Sequence, residues 1–284
     1  MSTQSFSTAP SCSSAAYFRD WGKKLSDALT AVGFTKTADT GQIDWTSVAA
    51  PSTTDQMMGY EIRAFSDATQ SSNPVIVKIE YGSGISSASN CAIHITLGRA
   101  TDGAGNFVGT TTAVMVMRNS TNSTSASDCY VSGASDRVNF AMFSNTSYIF
   151  MFTLERTKNA NGSNNSNGVN AVWVYSGANY QQYFPKKGQG FPVSPASAGI
   201  CCLCPYTGTA SYGGNIGLFP ILPYIGYADN PDLGACVYFT ADISAATDIS
   251  LTILGSSHTY KTMGNAIGTV NSNSSSKSLA LRYE

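Results

Sequence analysis

The side chains here that could do chemistry are few and loosely grouped. Cys201-Cys202-Leu203-Cys204, with Cys236 downstream, comes closest to a metal or redox cluster. In an extended segment Cys202 and Cys204 share one face while Cys201 points to the other, so three thiolates converge only across a sharp turn. Cys201 and Cys204 stand at Cys-x-x-Cys spacing, but a zinc site normally adds a second such pair or a Cys/His pair, and neither stands beside this cluster. Buried thiols are therefore the first reading, a disulfide within or between subunits the second, and zinc the third. His94 and His258 are the only histidines. Each stands among apolar or hydroxyl neighbours in a predicted strand, which suits a structural role better than proton transfer or metal ligation. No cofactor is expected.

The carboxylates do not pair into an acid/base couple by spacing. Asp20, Asp27, Asp39, Asp44 and Asp55 fall in a predicted helix and its exit, where capping and solubility explain them. Asp102, with Gly103, Gly105 and Asn106, offers oxygens to a calcium ion but lacks the further acids and closing Glu of a recognised loop, so a tight turn is the simpler reading. There is no Gly-x-Ser-x-Gly elbow, and Gly213-Gly214 lacks the Lys and helix of a phosphate loop. The expectation is a protein that is not an enzyme. One aromatic series invites a binding role: Trp173, Tyr175, Tyr180, Tyr183 and Phe184, followed by Pro185-Lys186-Lys187-Gly188. Such rings stack on sugars or form the centre of a protein interface, and they equally well close a core.

The elements that must position these groups read as β-rich. The chain has 284 residues, enough for one large β domain or two modest ones. Only 12% of residues are charged, about half the usual share of roughly 25%. Ser, Thr, Asn and Gly take the place of charge, as in tracts 83–90, 119–128 and 159–170. Fifteen Tyr, thirteen Phe and a net charge of -1 exclude a disordered chain. The same balance, with no basic run, removes the electrostatic footprint of a nucleic-acid binder. The N-terminus lacks the charged and apolar regions of a secretory signal. Tract 216–227, broken by Pro220 and Pro223, is too short to span a membrane. No direct nucleic-acid or membrane partner is expected.

Residues 1–13 read as an extended polar arm that orders only against a partner or the domain surface. Phe18, Trp21, Leu25, Ala28, Leu29 and Val32 recur at helical spacing, with Ser13 or Ser14 as cap and Gly33 as stop. Beyond them the period becomes two. Strands are expected at 60–65, 75–81, 91–97, 107–117, 137–143, 148–156 and 169–175, the fifth and sixth forming a hairpin closed by 144–147. Tyr60, Ile62 and Ala64 read as the buried face of the first strand, with Glu61 and Arg63 outward. Shorter pieces follow at 200–206, 216–219, 236–240, 249–254, 259–263 and 278–283. One helix followed by many short strands predicts a mainly β fold, a β-sandwich or jelly-roll-like architecture with one N-terminal amphipathic helix. Its β-rich domain spans residues 14–284, and any subdivision falls near 176–185.

Several segments together resemble tailed-bacteriophage virion structural proteins, a largely uncharacterised group associated with the tail or neck. They are Tyr17-Phe18-Arg19-Asp20-Trp21-Gly22, Thr37-Ala38-Asp39-Thr40-Gly41-Gln42-Ile43-Asp44-Trp45, Gly59-Tyr60-Glu61-Ile62-Arg63-Ala64-Phe65-Ser66-Asp67, Pro74-Val75-Ile76-Val77-Lys78-Ile79-Glu80-Tyr81-Gly82-Ser83-Gly84, Gly103-Ala104-Gly105-Asn106 and Leu279-Ala280-Leu281-Arg282-Tyr283-Glu284. The resemblance covers the first 110 residues and the extreme C-terminus and carries no catalytic motif. It implies an oligomeric virion component of the tail, baseplate or neck, assembled in the host cytoplasm, with other virion proteins and copies of itself as partners. The rival expectation is a receptor-binding module that grips host surface glycans with the aromatic series.

Overall fold

In a computed structural model of the chain, residues 1–118, 123–143, 149–158, 163–176, 179–183, 218–220, 236–239, 248–253, 256–262 and 278–283 are described. Helix α1 (Ala15–Ala31) forms where the sequence places it. Ser14 is extended at φ -149° and its side chain accepts the Tyr17 N–H at 3.3 Å, a side-chain N-cap. Gly33, at φ +90°, takes the left-handed turn that ends the helix. The helix buries Phe18, Trp21, Leu25, Ala28 and Leu29 along one stripe.

Around this helix runs a large sheet made of β1 (Ser2–Thr8), β2 (Met57–Ala64), β3 (Ile76–Ser83), β4 (Cys91–Gly98), β5 (Met115–Arg118), β6 (Ser127–Ala134), β7 (Arg137–Phe143), β8 (Ile149–Lys158), β9 (Asn164–Ser176) and β10 (Asn179–Tyr183). Its strand order is β1-β6-β7-β8-β9-β5-β4-β3-β2, with β10 also on β9. All pairings are antiparallel except the narrow junction where Arg118 of β5 meets Ser176 of β9. The helix packs against strands on both sides of that junction. Trp21 meets Tyr81 of β3 at 6.1 Å between ring centroids and Phe150 of β8 at 5.7 Å. A single helical side chain thus touches both halves, which face each other in a sandwich-like arrangement. Val77, Ile79, Tyr81, Ile93, Ile95 and Leu97 line one half of the core; Val131, Val138, Phe140, Phe152 and Leu154 line the other.

A second sheet contains β11 (Leu218–Pro220), β12 (Cys236–Phe239), β13 (Asp248–Ile253), β14 (Ser256–Thr262) and β15 (Ser278–Arg282), in the order β11-β12-β15-β14-β13. Its last strand meets the outer face of the first sheet. The Arg282 carbonyl accepts from Ser132 Oγ at 2.8 Å and Asn139 Nδ2 at 2.9 Å, and Tyr283 packs edge-on to Tyr130. The mainly β class, the antiparallel sheets and the helix near the N-terminus therefore agree with the sequence reading.

Three expectations change. Residues 107–114 are not strand: Gly109 turns at φ +86°, and Thr112 instead bonds Leu97 through its N–H and its hydroxyl. The polar tract before β9 is partly strand, since β9 begins at Asn164 and buries Asn170. The segment Ser127–Ala134, where the sequence reading places no strand, is a sheet strand that sends Cys129 and Val131 inward. Its partner is the N-terminal arm, of which residues 2–8 form β1 in register from Ser2↔Gly133 to Thr8↔Ser127. Beyond Ser176, β10 (Asn179–Tyr183) pairs back onto β9.

Candidate functional site

The densest polar chemistry lies inside the sandwich, on the face of β2 expected to be outward. Glu61 pairs with Ile79 and Arg63 with Val77, so both charged side chains point into the core, and both are 0% exposed. They are stable there because every polar atom finds a partner. Glu61 Oε2 accepts from Arg63 Nε (3.0 Å) and Nη2 (2.8 Å) and from the Tyr81 hydroxyl (3.1 Å). Glu61 Oε1 accepts from Ser26 Oγ (2.5 Å), Trp45 Nε1 (3.1 Å) and Lys36 Nζ (2.7 Å). The rest of the Arg63 fork donates to the carbonyls of Ser26 and Phe34 and to the hydroxyls of Thr30 and Ser26. A cation held against the last turn of α1 also complements the helix dipole.

Burial by itself would raise the Glu61 pKa, but Arg63, Lys36 and Ser26 outweigh it and hold the carboxyl below its ordinary value. Burial, with Glu61 beside it, pushes the Tyr81 phenol well up. The carboxylate stays charged and the phenol neutral, an arrangement suited to clamping α1 onto β2.

Other close contacts surround β2 on both faces. Gly22 lies flat against the Trp45 ring, and a Cβ there would stand 1.9 Å from it. The Tyr60 hydroxyl sits between the carbonyls of Thr40 (2.9 Å) and Ala104 (2.8 Å), and Gly105 covers its ring. Asp102 closes its own turn through the N–H groups of Ala104 and Asn106 and the Asn106 amide, which agrees with a tight turn. Asp44 caps Thr46 and Ser47, and these hydrogen bonds lower its pKa to about 2. Asp20 and Asp27 pair with Lys24 and Lys23 on the helix surface, and Asp55 lies 3.5 Å from Arg118. A second buried clip joins Asp67 Oδ2 to Arg156 Nε at 2.9 Å, while Arg156 also bonds the Asn73 carbonyl and Gln70.

The residues singled out from the sequence are dispersed. His94 is half-buried on the outer face of β4, opposite Glu80 of β3. Sequence spacing hid that acid, because it arrives from the neighbouring strand. Burial lowers the His94 pKa, with Glu80 and Asp55 opposing and Arg118 assisting. His258 Nδ1 lies 2.7 Å from Arg282 Nη2; a guanidinium only donates, so this nitrogen accepts and the ring is neutral. Trp173 is a core residue, 4% exposed, opposite Phe152 of β8. Tyr175 lies in β9 and Tyr180 and Tyr183 lie in β10, while Phe184 is outside the described residues. Cys201, Cys202 and Cys204 are outside them as well.

Cys12, Cys91 and Cys129 are free and buried. Among the described residues no three His, Cys, Asp or Glu side chains gather as a metal site, and no helix is long and apolar enough to cross a membrane. The clamp around Glu61 was missed because alternation assigned its two charged residues to the solvent face. Their opposite charges at i and i+2 on one strand face were the available signal. No protein-family model matches this chain, and comparison with curated proteins gives no match.

Proposed function

We propose that this chain is a structural, self-associating component of a tailed-bacteriophage virion, built into the tail, baseplate or neck. The supporting observation is where the resembling segments fall. Trp21, Gly22, Trp45, Glu61, Arg63 and Tyr81 all lie in or against the clamp that holds α1 to the sheet, and Tyr60 and Gly105 pack together on the other face of β2. The likeness thus resides in residues that make a rigid frame, as expected of a building block.

Self-association has a natural place at β1. This strand ends the sheet order, so among the described residues its outer edge has no strand partner. Its sequence, STQSFST, contains none of the charges or prolines that normally guard an edge against pairing. Neighbouring copies that meet there would extend the sheet from one subunit to the next.

The glycan-binding alternative loses its central ring, because Trp173 packs in the core. Mass spectrometry of purified particles, followed by assignment of density in a particle reconstruction, tests the proposal. The chain is expected at fixed copy number in the tail or neck. Its production during infection without incorporation into particles would refute the reading.

A further inference from the structure

Two thiols outside the clamp stand close enough to react with each other. Cys12 lies between β1 and α1, and Cys91 opens β4. Ser11 bridges Asn90 in antiparallel fashion and the Cys12 N–H donates to the Ser89 carbonyl at 2.8 Å. That register puts Cys12 and Cys91 on one face as diagonal neighbours. Their sulfurs are 3.3 Å apart, and Cys12 Sγ also lies 3.4 Å from the Gly82 carbonyl. The residues are 2% and 0% exposed, with Gly82 too crowded by the Gln56 carbonyl to carry a side chain.

We propose that Cys12 and Cys91 are an oxidation site, converted by a low-molecular-weight disulfide into an intramolecular cystine that staples the β1–α1 junction to β4. This inference does not depend on the virion reading. One cysteine, as thiolate, attacks a sulfur of the oxidant and releases one thiolate of it. The second cysteine then attacks the mixed disulfide and releases the other. The protein loses two electrons and two protons, and the oxidant leaves as two thiols. A bond length of about 2.05 Å requires each sulfur to move by less than about 1 Å. Burial pushes the Cys91 thiol well up, so the reaction proceeds when residues 9–13 open locally. The bond would enclose all of α1, β2 and β3, a long loop of the kind whose closure most restricts the unfolded chain.

The test uses the full chain purified under reduction, incubated with oxidised glutathione, then alkylated under denaturing conditions and digested. The expected product is a linked peptide pair containing Cys12 and Cys91. It should form equally in Cys129→Ser, together with a rise in thermal midpoint on the order of 5–10 °C that a dithiol reverses. The rise should vanish in Cys12→Ser and in Cys91→Ser. Recovery of both cysteines fully alkylated, of a persistent glutathione adduct on either, or of either linked to another cysteine would overturn the proposal. Because peptide mapping is done on the unsubstituted chain, the result stands even if a serine variant folds poorly.

Discussion

Glu61 and Arg63, two residues apart on β2, face the core together as a doubly hydrogen-bonded ion pair beneath the last turn of α1. Desolvating two charges is costly, and the arrangement holds because the Ser26, Trp45, Lys36 and Tyr81 side chains and the Ser26 and Phe34 carbonyls complete their coordination. Removing one partner strands the other. Arg63→Met is expected to destabilise the fold by about 3–5 kcal/mol, whereas the double change Glu61→Gln with Arg63→Met should cost clearly less than the sum of the two single changes. Urea midpoints of the four proteins in this cycle measure it.

Acid should act through the same pair. The folded pKa of Glu61 lies below its ordinary 4.5, and that of Asp67, paired with Arg156, below its ordinary 3.8. A depressed folded value means that the stabilisation is complete above the unfolded value and is lost as the pH falls through the folded one. The stabilisation from these two carboxylates, read from thermal midpoints, should therefore hold level above about pH 5 and drop progressively below pH 4.5, in addition to the loss that the lowered folded value of His94 imposes below its ordinary 6.5. The Glu61→Gln, Arg63→Met protein should show a shallower drop, and an unchanged slope would dissociate the clamp from acid sensitivity.

Two glycines should respond differently to alanine. At Gly22 a Cβ meets the Trp45 ring at 1.9 Å, and overpacking of this kind costs roughly 1–3 kcal/mol. Gly33 has open space around it but sits at φ +90°, so Gly33→Ala should cost about 1 kcal/mol through backbone strain alone. Near-ultraviolet circular dichroism separates the cases, since only Gly22→Ala should disturb the tryptophan environment.

The exposed edge of β1 supplies a test of self-association. Ser5 is exposed on that edge, and Ser5→Lys places a charge where a neighbouring strand would approach. Sedimentation analysis should show smaller assemblies for Ser5→Lys and for a chain lacking residues 2–8, with far-ultraviolet spectra still rich in β structure. Unaltered assembly in both would move the subunit contact away from β1.

The sequence by itself determined the elements whose apolar pattern is local. Ser14, the Phe18 to Val32 stripe and Gly33 mark α1 to within a residue, because cap, period and stop are read within a few turns. Period-two apolar runs likewise placed β3, β4 and the β7–β8 hairpin. What only the tertiary structure decided was partnership across distance. Whether Glu61 and Arg63 face water depends on Ser26, Phe34, Trp45 and Tyr81, which reach them from the helix, a loop and another strand. Whether residues 2–8 are an arm or a strand depends on β6, more than a hundred positions away, and the approach of Cys12 to Cys91 depends on a bridge between separate segments. Local periodicity reports which residues would gain from burial, whereas burial of charges and pairing of weakly patterned strands are decided by groups that only folding brings near.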